Sequence, residues 1–167
     1  MNSESMRADS MRESIEQYSN MVYRLAFSMM KNKDDADDIH QEVFVQYICH
    51  YPELESEEHK KAWLIRVTIN TCKNWWKSAW QRKVCGLLNN QEVTEQEDAT
   101  QQWEQRYPII EQVRNLPQKY KVVIHLFYYE EMSIKEIAHV LQLKESNVRA
   151  RLTRARQKLK DVLEEDI

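Results

Sequence analysis

The chain contains one glycine, Gly86, among its 167 residues. Loops that bind phosphate need several glycines, because their backbone must approach the phosphate closely or adopt a positive φ. This shortage excludes Walker-type NTPases, dinucleotide-binding folds and kinase-like loops. With only three prolines, the chain also has few of the residues that form β-turns. We therefore expect an all-α fold with few connections.

Acidic and basic residues are segregated along the chain, although the formal net charge is only −3. Residues 34–58 contain nine acids and no Lys or Arg, whereas residues 60–83 contain seven bases and no acid. Residues 144–160 contain seven bases and a single acid. Blocks of alternating sign on this scale predict separate surfaces for different partners.

A polar, mainly acidic stretch at 84–108 interrupts the apolar periodicity and divides the chain. Helical spacing of apolar residues on either side predicts two small helical domains, at 13–83 and 109–167. Residues 1–12 are expected to be a flexible N-terminus. The predicted organisation is thus two helical domains joined by an acidic linker.

The cysteines and histidines predict neither a disulfide framework nor a metal site. Cys49, Cys72 and Cys85 are odd in number and form no C-x-x-C pair, and the histidines form no H-E-x-x-H pattern. We therefore expect no metal and no cofactor. Mean hydropathy is −0.77, and the sequence has neither a secretory signal nor a long apolar run. These features predict a cytoplasmic protein that does not insert into membranes.

The end of the first basic block interleaves aromatic rings, amides and cations, which suits single-stranded or melted DNA. Cations follow the phosphates, while flat rings accept unstacked bases. The alternative is that some of the tryptophans belong to the core, because positions 76 and 80 share one helix face. The candidate DNA-binding residues are Asn70, Lys73, Asn74, Trp75, Trp76, Lys77, Trp80, Arg82 and Lys83.

The acidic residues at the start of the predicted second helix allow two interpretations. Residues 34–38 suit the positive end of a helix dipole. With Glu42 they could instead bind metal, as in all-helical nucleotide pyrophosphatases. Near-adjacent aspartates, however, point around a helix instead of converging on one ion. We favour a solvated acidic surface.

The second domain contains a predicted helix-turn-helix. Ser133 and Glu136 form a capping box, residues 142–144 break the first helix, and a basic helix follows. Cations flank a narrow neutral front on this second helix, as expected for a helix in a major groove with phosphates on both sides. Its candidate DNA-binding residues are Glu145, Ser146, Asn147, Arg149, Ala150, Arg151, Thr153, Arg154, Arg156 and Lys158.

Three segments in order resemble the bacterial RNA polymerase sigma factors of the extracytoplasmic-function (ECF) type. DADDIHQEVF at 35–44 is similar to that family's acidic polymerase-binding helix, and WLIRVTIN at 63–70 to the opening of its −10-reading segment. SIKEIA at 133–138 and VRARLTRAR at 148–156 resemble its −35-reading helix-turn-helix. The resemblance covers roughly residues 15–163, with the linker unmatched.

The resemblance implies a sigma factor that binds core RNA polymerase and directs promoter-specific initiation, and not an enzyme. The 70–83 segment would bind the −10 element, the helix from Glu145 would bind the −35 element, and the linker would lie in the channel used by nascent RNA. An anti-sigma partner, often membrane-bound, is also implied, and no small-molecule substrate. The implied polymerase-binding residues are Asp37, Asp38, Gln41, Glu42, Val45 and Gln46.

Two other functions remain open from the sequence. A stand-alone helix-turn-helix regulator would explain the second domain but not the basic, aromatic block of the first. An all-helical nucleotide hydrolase would use the acids at 34–42. A pI near 6.0 favours the sigma factor, because an autonomous DNA-binding protein depends on an excess of cations. A subunit that a polymerase carries to DNA does not.

Overall fold

A computed structural model describes residues 3–51, 54, 56–84 and 110–165, and these ranges contain helices but no strand. The N-terminal unit consists of three long helices: α1 (Ser3–Met29), α2 (Lys33–His50) and α3 (Glu57–Val84). The all-α prediction is confirmed for the described part of the chain. The linker hypothesis falls on residues that, apart from Val84, lie outside it.

The C-terminal unit is built from four shorter elements and one long helix. They are α4 (Ile110–Arg114), α5 (Gln118–Ile124), a π-helical turn (His125–Tyr129), α6 (Ile134–Leu141) and α7 (Glu145–Glu165). The π-helical turn directly continues α5, a feature that the sequence analysis did not predict. It ends where Glu130 N–H donates to the carbonyl of His125 at 3.2 Å.

Helix α1 begins at Ser3, so most of the stretch expected to be flexible is helical. Two contacts join the N-terminal part of α1 to the rest of the unit. Met11 packs against the core, and the hydroxyls of Ser10 and Tyr51 lie 2.7 Å apart. Helix propagation adds a hydrogen bond for each residue ordered, so anchoring at these positions favours helix in the turns before them.

The start of α2 follows from its capping residue. Asn32 precedes the helix in an extended conformation, and its side chain accepts a hydrogen bond from the Asp35 N–H at 2.9 Å. Asp34 and Asp35 then occupy the first turn, where negative charge is favourable. The apolar sides of α1, α2 and α3 meet in a core whose fully buried members include Val22, Leu25, Val43, Tyr47, Leu64 and Ile65.

The turn between α6 and α7 forms without the glycine that such turns usually contain. Ser133 caps α6 as predicted: its Oγ accepts from the Glu136 N–H at 3.1 Å. At the other end Gln142 adopts a left-handed conformation with φ 56°, which costs a non-glycine residue roughly 1–2 kcal/mol. The N–H of Leu143 closes the turn by donating to the carbonyl of Ala138 at 2.9 Å.

The two units are docked against each other across what we call the interdomain interface. Arg24 of α1 forms an ion pair with Glu130 at 3.1 Å. Arg66 of α3 donates to the carbonyl of Val140 in α6 at 2.9 Å. Arg114 of α4 donates to the carbonyl of Met30 at 2.9 Å. Buried apolar residues of both units form one continuous cluster.

Candidate nucleic-acid and polymerase interfaces

Helix α7 presents one apolar side to the C-terminal unit and its other sides to solvent. Val148, Leu152, Ala155 and Leu159 are buried, at most 8% exposed, because they recur at spacings of three and four residues along one helix face. This inner stripe matches the sequence prediction. The candidate DNA-binding residues are exposed, except that Ala150 and Arg151 are half-buried.

The cations of α7 differ in how far the protein already engages them. Arg156 donates to the hydroxyl of Tyr128 at 2.7 Å and lies over the Phe127 ring, 5.5 Å from its centroid. Arg149 pairs with Glu145 at 3.4 Å, an exposed contact of small energetic value. Arg154 is exposed and makes no hydrogen bond or ion pair with the described residues. Arg154 is therefore the side chain most available to a phosphate.

Helix α3 carries a second polar stripe along its C-terminal half. Asn70, Lys73, Asn74 and Lys77 are all exposed, and spacings of three and four residues place them on one helix face. The stripe continues to Trp80, which is 66% exposed. Arg82 and Lys83 extend the same helix, and their side chains lie outside the described residues.

The structure separates the three clustered tryptophans by burial. Trp75 and Trp76 pack edge to face, 5.1 Å between ring centroids, and both lie partly buried against the core. The Trp76 indole N–H donates to the carbonyl of Met29 at 3.3 Å. Both rings are thus partly engaged with the core, and contact of Trp75 and Trp76 with DNA stays a prediction. The Trp80 side chain, in contrast, is mostly exposed and has no ring or hydrogen-bond partner among the described residues.

Helix α2 exposes a stripe that is acidic at its start and apolar at its end. Asp34, Asp38, Gln41 and Val45 share this face, as do the predicted Asp37 and Glu42 at its edges, whereas Gln46 is half-buried. Val45 is 56% exposed and Ile48 is 48% exposed. Ile48 was absent from the sequence prediction, although its position three residues after Val45 was a usable signal.

Side chains behind the α2 stripe are tuned mainly by burial. Burial raises the pKa of Asp35 from its ordinary value, opposed by the hydrogen bond at Asn32. Burial likewise lowers the pKa of His40, which lies 2.9 Å from the Ser19 hydroxyl. Within the described residues, no group of three or more His, Cys, Asp or Glu is placed to hold a metal ion.

Comparison with protein families assigns both units. Residues 14–82 match the family described as Sigma-70 region 2. Residues 106–159 match the family described as Sigma-70, region 4. The three stripes fall within these matches: those of α2 and α3 in the first, and that of α7, up to residue 159, in the second.

Two proteins of similar sequence are sigma factors of Bacillus subtilis (strain 168). The ECF RNA polymerase sigma factor SigM is 29% identical over 152 residues, covering 89% of this chain and 91% of that protein. The RNA polymerase sigma factor SigZ is 30% identical over 129 residues, covering 77% and 72%. The similarity therefore extends over most of each protein.

Two solved structures share the fold. CnrH in complex with the cytosolic domain of CnrY superposes with a TM-score of 0.72 at 22% identity, covering 96% of this chain and 91% of that chain. The sigma factor RpoE in complex with the anti-sigma factor NepR, from Bartonella quintana, gives 0.68 at 14% identity, covering 93% and 98%. Along the described parts of this chain, no helix combines the length and apolarity needed to cross a membrane.

Proposed function

Because this chain belongs to the ECF sigma factors of the sigma-70 family, which direct promoter-specific transcription initiation, we propose that its three exposed stripes divide that task. The α2 stripe binds core RNA polymerase, the α3 stripe binds the −10 element, and α7 binds the −35 element. The observation that carries this division is the separation of charge: one stripe is acidic and apolar, and the other two are basic.

The α2 stripe combines two kinds of contact that suit a docking surface. Exposed Val45 and Ile48 supply apolar area, while Asp38 and Glu42 supply charge that orients a basic partner surface. Covering these apolar side chains with a partner would remove their surface from water, which favours binding. Their position supports a stable partner on this face.

The α3 stripe suits a strand that is leaving the duplex. Lys73 and Lys77 are spaced one helical turn apart and can follow successive phosphates. Asn70 and Asn74, on the same face, offer donors and acceptors to unpaired bases. Trp80 then provides a flat surface for an unstacked base, a contact worth roughly 1–3 kcal/mol.

The α7 helix suits the major groove of the duplex. Its front carries small or neutral side chains, and cations lie on both sides of that front, which matches a groove between two phosphate walls. The contact of Arg156 with Tyr128 holds one flanking guanidinium in place. The contact with Glu145 is weak enough for Arg149 to exchange it for a phosphate.

The chain supplies recognition and no bond-making chemistry of its own, since the polymerase performs the reaction. It acts in the cytoplasm, where the polymerase and the promoter are found. Among the similar structures, CnrH is in complex with the cytosolic domain of CnrY, and the sigma factor RpoE is in complex with the anti-sigma factor NepR. We extend this to the present chain: a protein partner of anti-sigma type covers some of its stripes when transcription is not required.

In vitro transcription with core RNA polymerase tests the proposal. The purified chain is added to core enzyme on a genomic promoter library, and the start sites are mapped. We expect new, discrete start sites that share −10 and −35 sequences, and weak binding of the same DNA by the chain alone. Tight, specific duplex binding without polymerase, together with no new start sites, would refute the proposal in favour of a stand-alone regulator.

A further inference from the structure

An irregular turn at the end of α5 presents Tyr128 to solvent beside α7. The π-helical turn (His125–Tyr129) ends where the Glu130 N–H donates to the carbonyl of His125 at 3.2 Å. Glu131 then adopts a left-handed conformation with φ 54°, which is costly for a residue other than glycine. Both π-helical turns and strained backbone are frequent at functional sites. The turn therefore draws attention to the side chains that it orients.

Two aromatic rings of this turn hold the guanidinium of Arg156. The Arg156 Nε–H donates to the Tyr128 hydroxyl oxygen at 2.7 Å. The guanidinium carbon lies 5.5 Å from the ring centroids of both Phe127 and Tyr128, and these rings pack edge to face, 4.9 Å between centroids. A side chain that is already held in place loses less conformational entropy when it binds a ligand. Arg156 is thus preorganised in the absence of DNA.

The contact between Tyr128 and Arg156 leaves donors on both side chains. A phenol hydroxyl has one hydrogen to donate, and because its oxygen here accepts from Arg156, that hydrogen points elsewhere. It meets no acceptor among the described residues, and Tyr128 is 51% exposed. The Nη groups of Arg156 likewise make no hydrogen bond with the described part of the chain. A fork of charged N–H groups beside an O–H group matches the oxygens of a phosphate.

These donors lie on the side of α7 that also carries Arg149. Arg149 and Arg156 are seven residues apart, so they share one side of the helix at a distance of about 10 Å along its axis. Arg154 lies on the opposite side, with the neutral front between the two. With that front in a major groove, Tyr128 and Arg156 face the same phosphate strand as Arg149, one or more phosphates further along.

We propose that Tyr128 and Arg156 form a two-residue clamp for a single DNA phosphate. The Tyr128 hydroxyl donates to one nonbridging oxygen and the Arg156 guanidinium to the other. Tyr128 lies outside α7 and outside the residues that the sequence predicted to bind DNA. This inference rests on the proposed function, because the phosphate belongs to the duplex that α7 binds. The clamp adds affinity that does not depend on base sequence and fixes the register of α7 on the duplex.

Neutralising single phosphates of a promoter duplex tests the clamp. Duplexes that each carry one methylphosphonate, stepped along both strands of the −35 region, are bound to the reconstituted holoenzyme. Neutralising one particular phosphate should weaken binding by the parent about tenfold. The same duplex should bind Arg156→Ala within about twofold of the unmodified duplex, because that variant has already lost the contact.

Tyr128→Phe keeps the ring and removes only the hydroxyl. On the unmodified duplex we expect it to weaken binding roughly three- to tenfold, and on the duplex neutralised at the clamp phosphate this cost should nearly vanish. In the Arg156→Ala background Tyr128→Phe should still cost about threefold, because the hydroxyl itself contacts the phosphate. A residue that only supported the fold would weaken binding equally on every duplex.

Tyr51→Phe is the matched control. It removes a hydroxyl that lies 2.7 Å from the Ser10 hydroxyl in the N-terminal unit, the same distance as in the Tyr128–Arg156 contact and outside the three stripes. We expect it to leave the affinity for every duplex unchanged. Circular dichroism confirms that each variant is folded.

Four results would overturn the clamp. They are the absence of any phosphate whose neutralisation spares Arg156→Ala, parental affinity of Tyr128→Phe, an equal cost of Tyr128→Phe on every duplex, and no cost of Tyr128→Phe in the Arg156→Ala background. If core polymerase yields no new start sites, the proposed function fails, and the free chains are compared on a duplex of arbitrary sequence at low salt. There Arg156→Ala should reduce the salt slope by about 0.9 and Tyr128→Phe should still weaken binding, whereas parental behaviour of either variant would overturn the clamp.

Discussion

Arg154→Ala removes a cation from α7 without removing a contact inside the protein. The Arg154 side chain is exposed and makes no hydrogen bond or ion pair with the described residues. Both arginine and alanine favour helix. We therefore expect the free energy of unfolding to change by no more than about 0.5 kcal/mol. A larger effect on promoter binding must then arise at the DNA.

The size of that effect follows from the charge that is removed. If Arg154 neutralises one phosphate, its loss reduces the slope of log K against log salt concentration by about 0.9. If parent and variant bind DNA equally well at 1 M salt, the variant binds about eightfold more weakly than the parent at 0.1 M, a difference of ~1.2 kcal/mol. The weakening is the same for every −35 sequence. A base contact would instead cost roughly 1–3 kcal/mol at one base pair and leave the slope unchanged.

The assay is binding of the reconstituted holoenzyme to promoter duplex between 50 and 200 mM salt. Over that range, loss of one phosphate contact should change the ratio of parent affinity to variant affinity by about 3.5-fold. Arg12→Ala is the matched control, because it removes an exposed cation from α1, outside the three stripes, and should leave both the affinity and the slope at the parental values. An Arg154→Ala holoenzyme with parental affinity and slope would remove Arg154 from the DNA interface.

The remaining predictions concern the other stripes and the Arg24–Glu130 ion pair. Trp80→Ala should slow opening of the −10 element, measured by permanganate reactivity, through loss of stacking worth roughly 1–3 kcal/mol, while Trp76→Ala should chiefly lower Tm; parental opening by Trp80→Ala would contradict this. Ile48→Asp should weaken core polymerase binding at least tenfold in fluorescence anisotropy without changing Tm by more than a few degrees, because it desolvates a carboxylate; unchanged affinity would exclude Ile48 from the docking surface. Burial raises the pKa of Glu130, but hydrogen bonds from His125 and Arg24 outweigh this effect and lower that pKa below its ordinary 4.5. The stabilisation that ionised Glu130 contributes is therefore complete above pH 4.5 and is lost as the pH falls through the lower pKa of the folded state. In thermal scans between pH 7 and pH 3, the Tm of the parent should therefore fall further than the Tm of Glu130→Gln. Equal decreases in Tm would count against the ion pair.

Features that depend on near neighbours in the chain could be predicted from the sequence. The helices follow from apolar spacing, the start of α6 from Ser133, and the inner stripe of α7 from Val148, Leu152 and their repeats. The division into charge blocks also reads directly from the order of residues. Each of these depends on interactions within about one or two helical turns, which the local sequence contains.

Only the tertiary structure decided which side chains are exposed on helices that the sequence had correctly predicted. Trp76 and Trp80 share one side of α3, but Trp76 meets Met29, 47 residues away, and Trp80 has no such contact within the described ranges. The Ser10 hydroxyl of α1 likewise meets the hydroxyl of Tyr51, 41 residues away. Such contacts join positions whose spacing in the chain carries no periodic signal.

The docking of the two units lies furthest from anything that the sequence could determine. Arg24 and Glu130 are separated by 106 residues, and each by itself resembles an ordinary surface charge. Their pairing depends on how two separately folded surfaces meet. The sequence by itself determined which faces of each helix are apolar, acidic or basic, because that follows from residue type and helical spacing. Only the tertiary structure decided which of those surfaces the free chain holds together, because that depends on shape and charge matched across the interface.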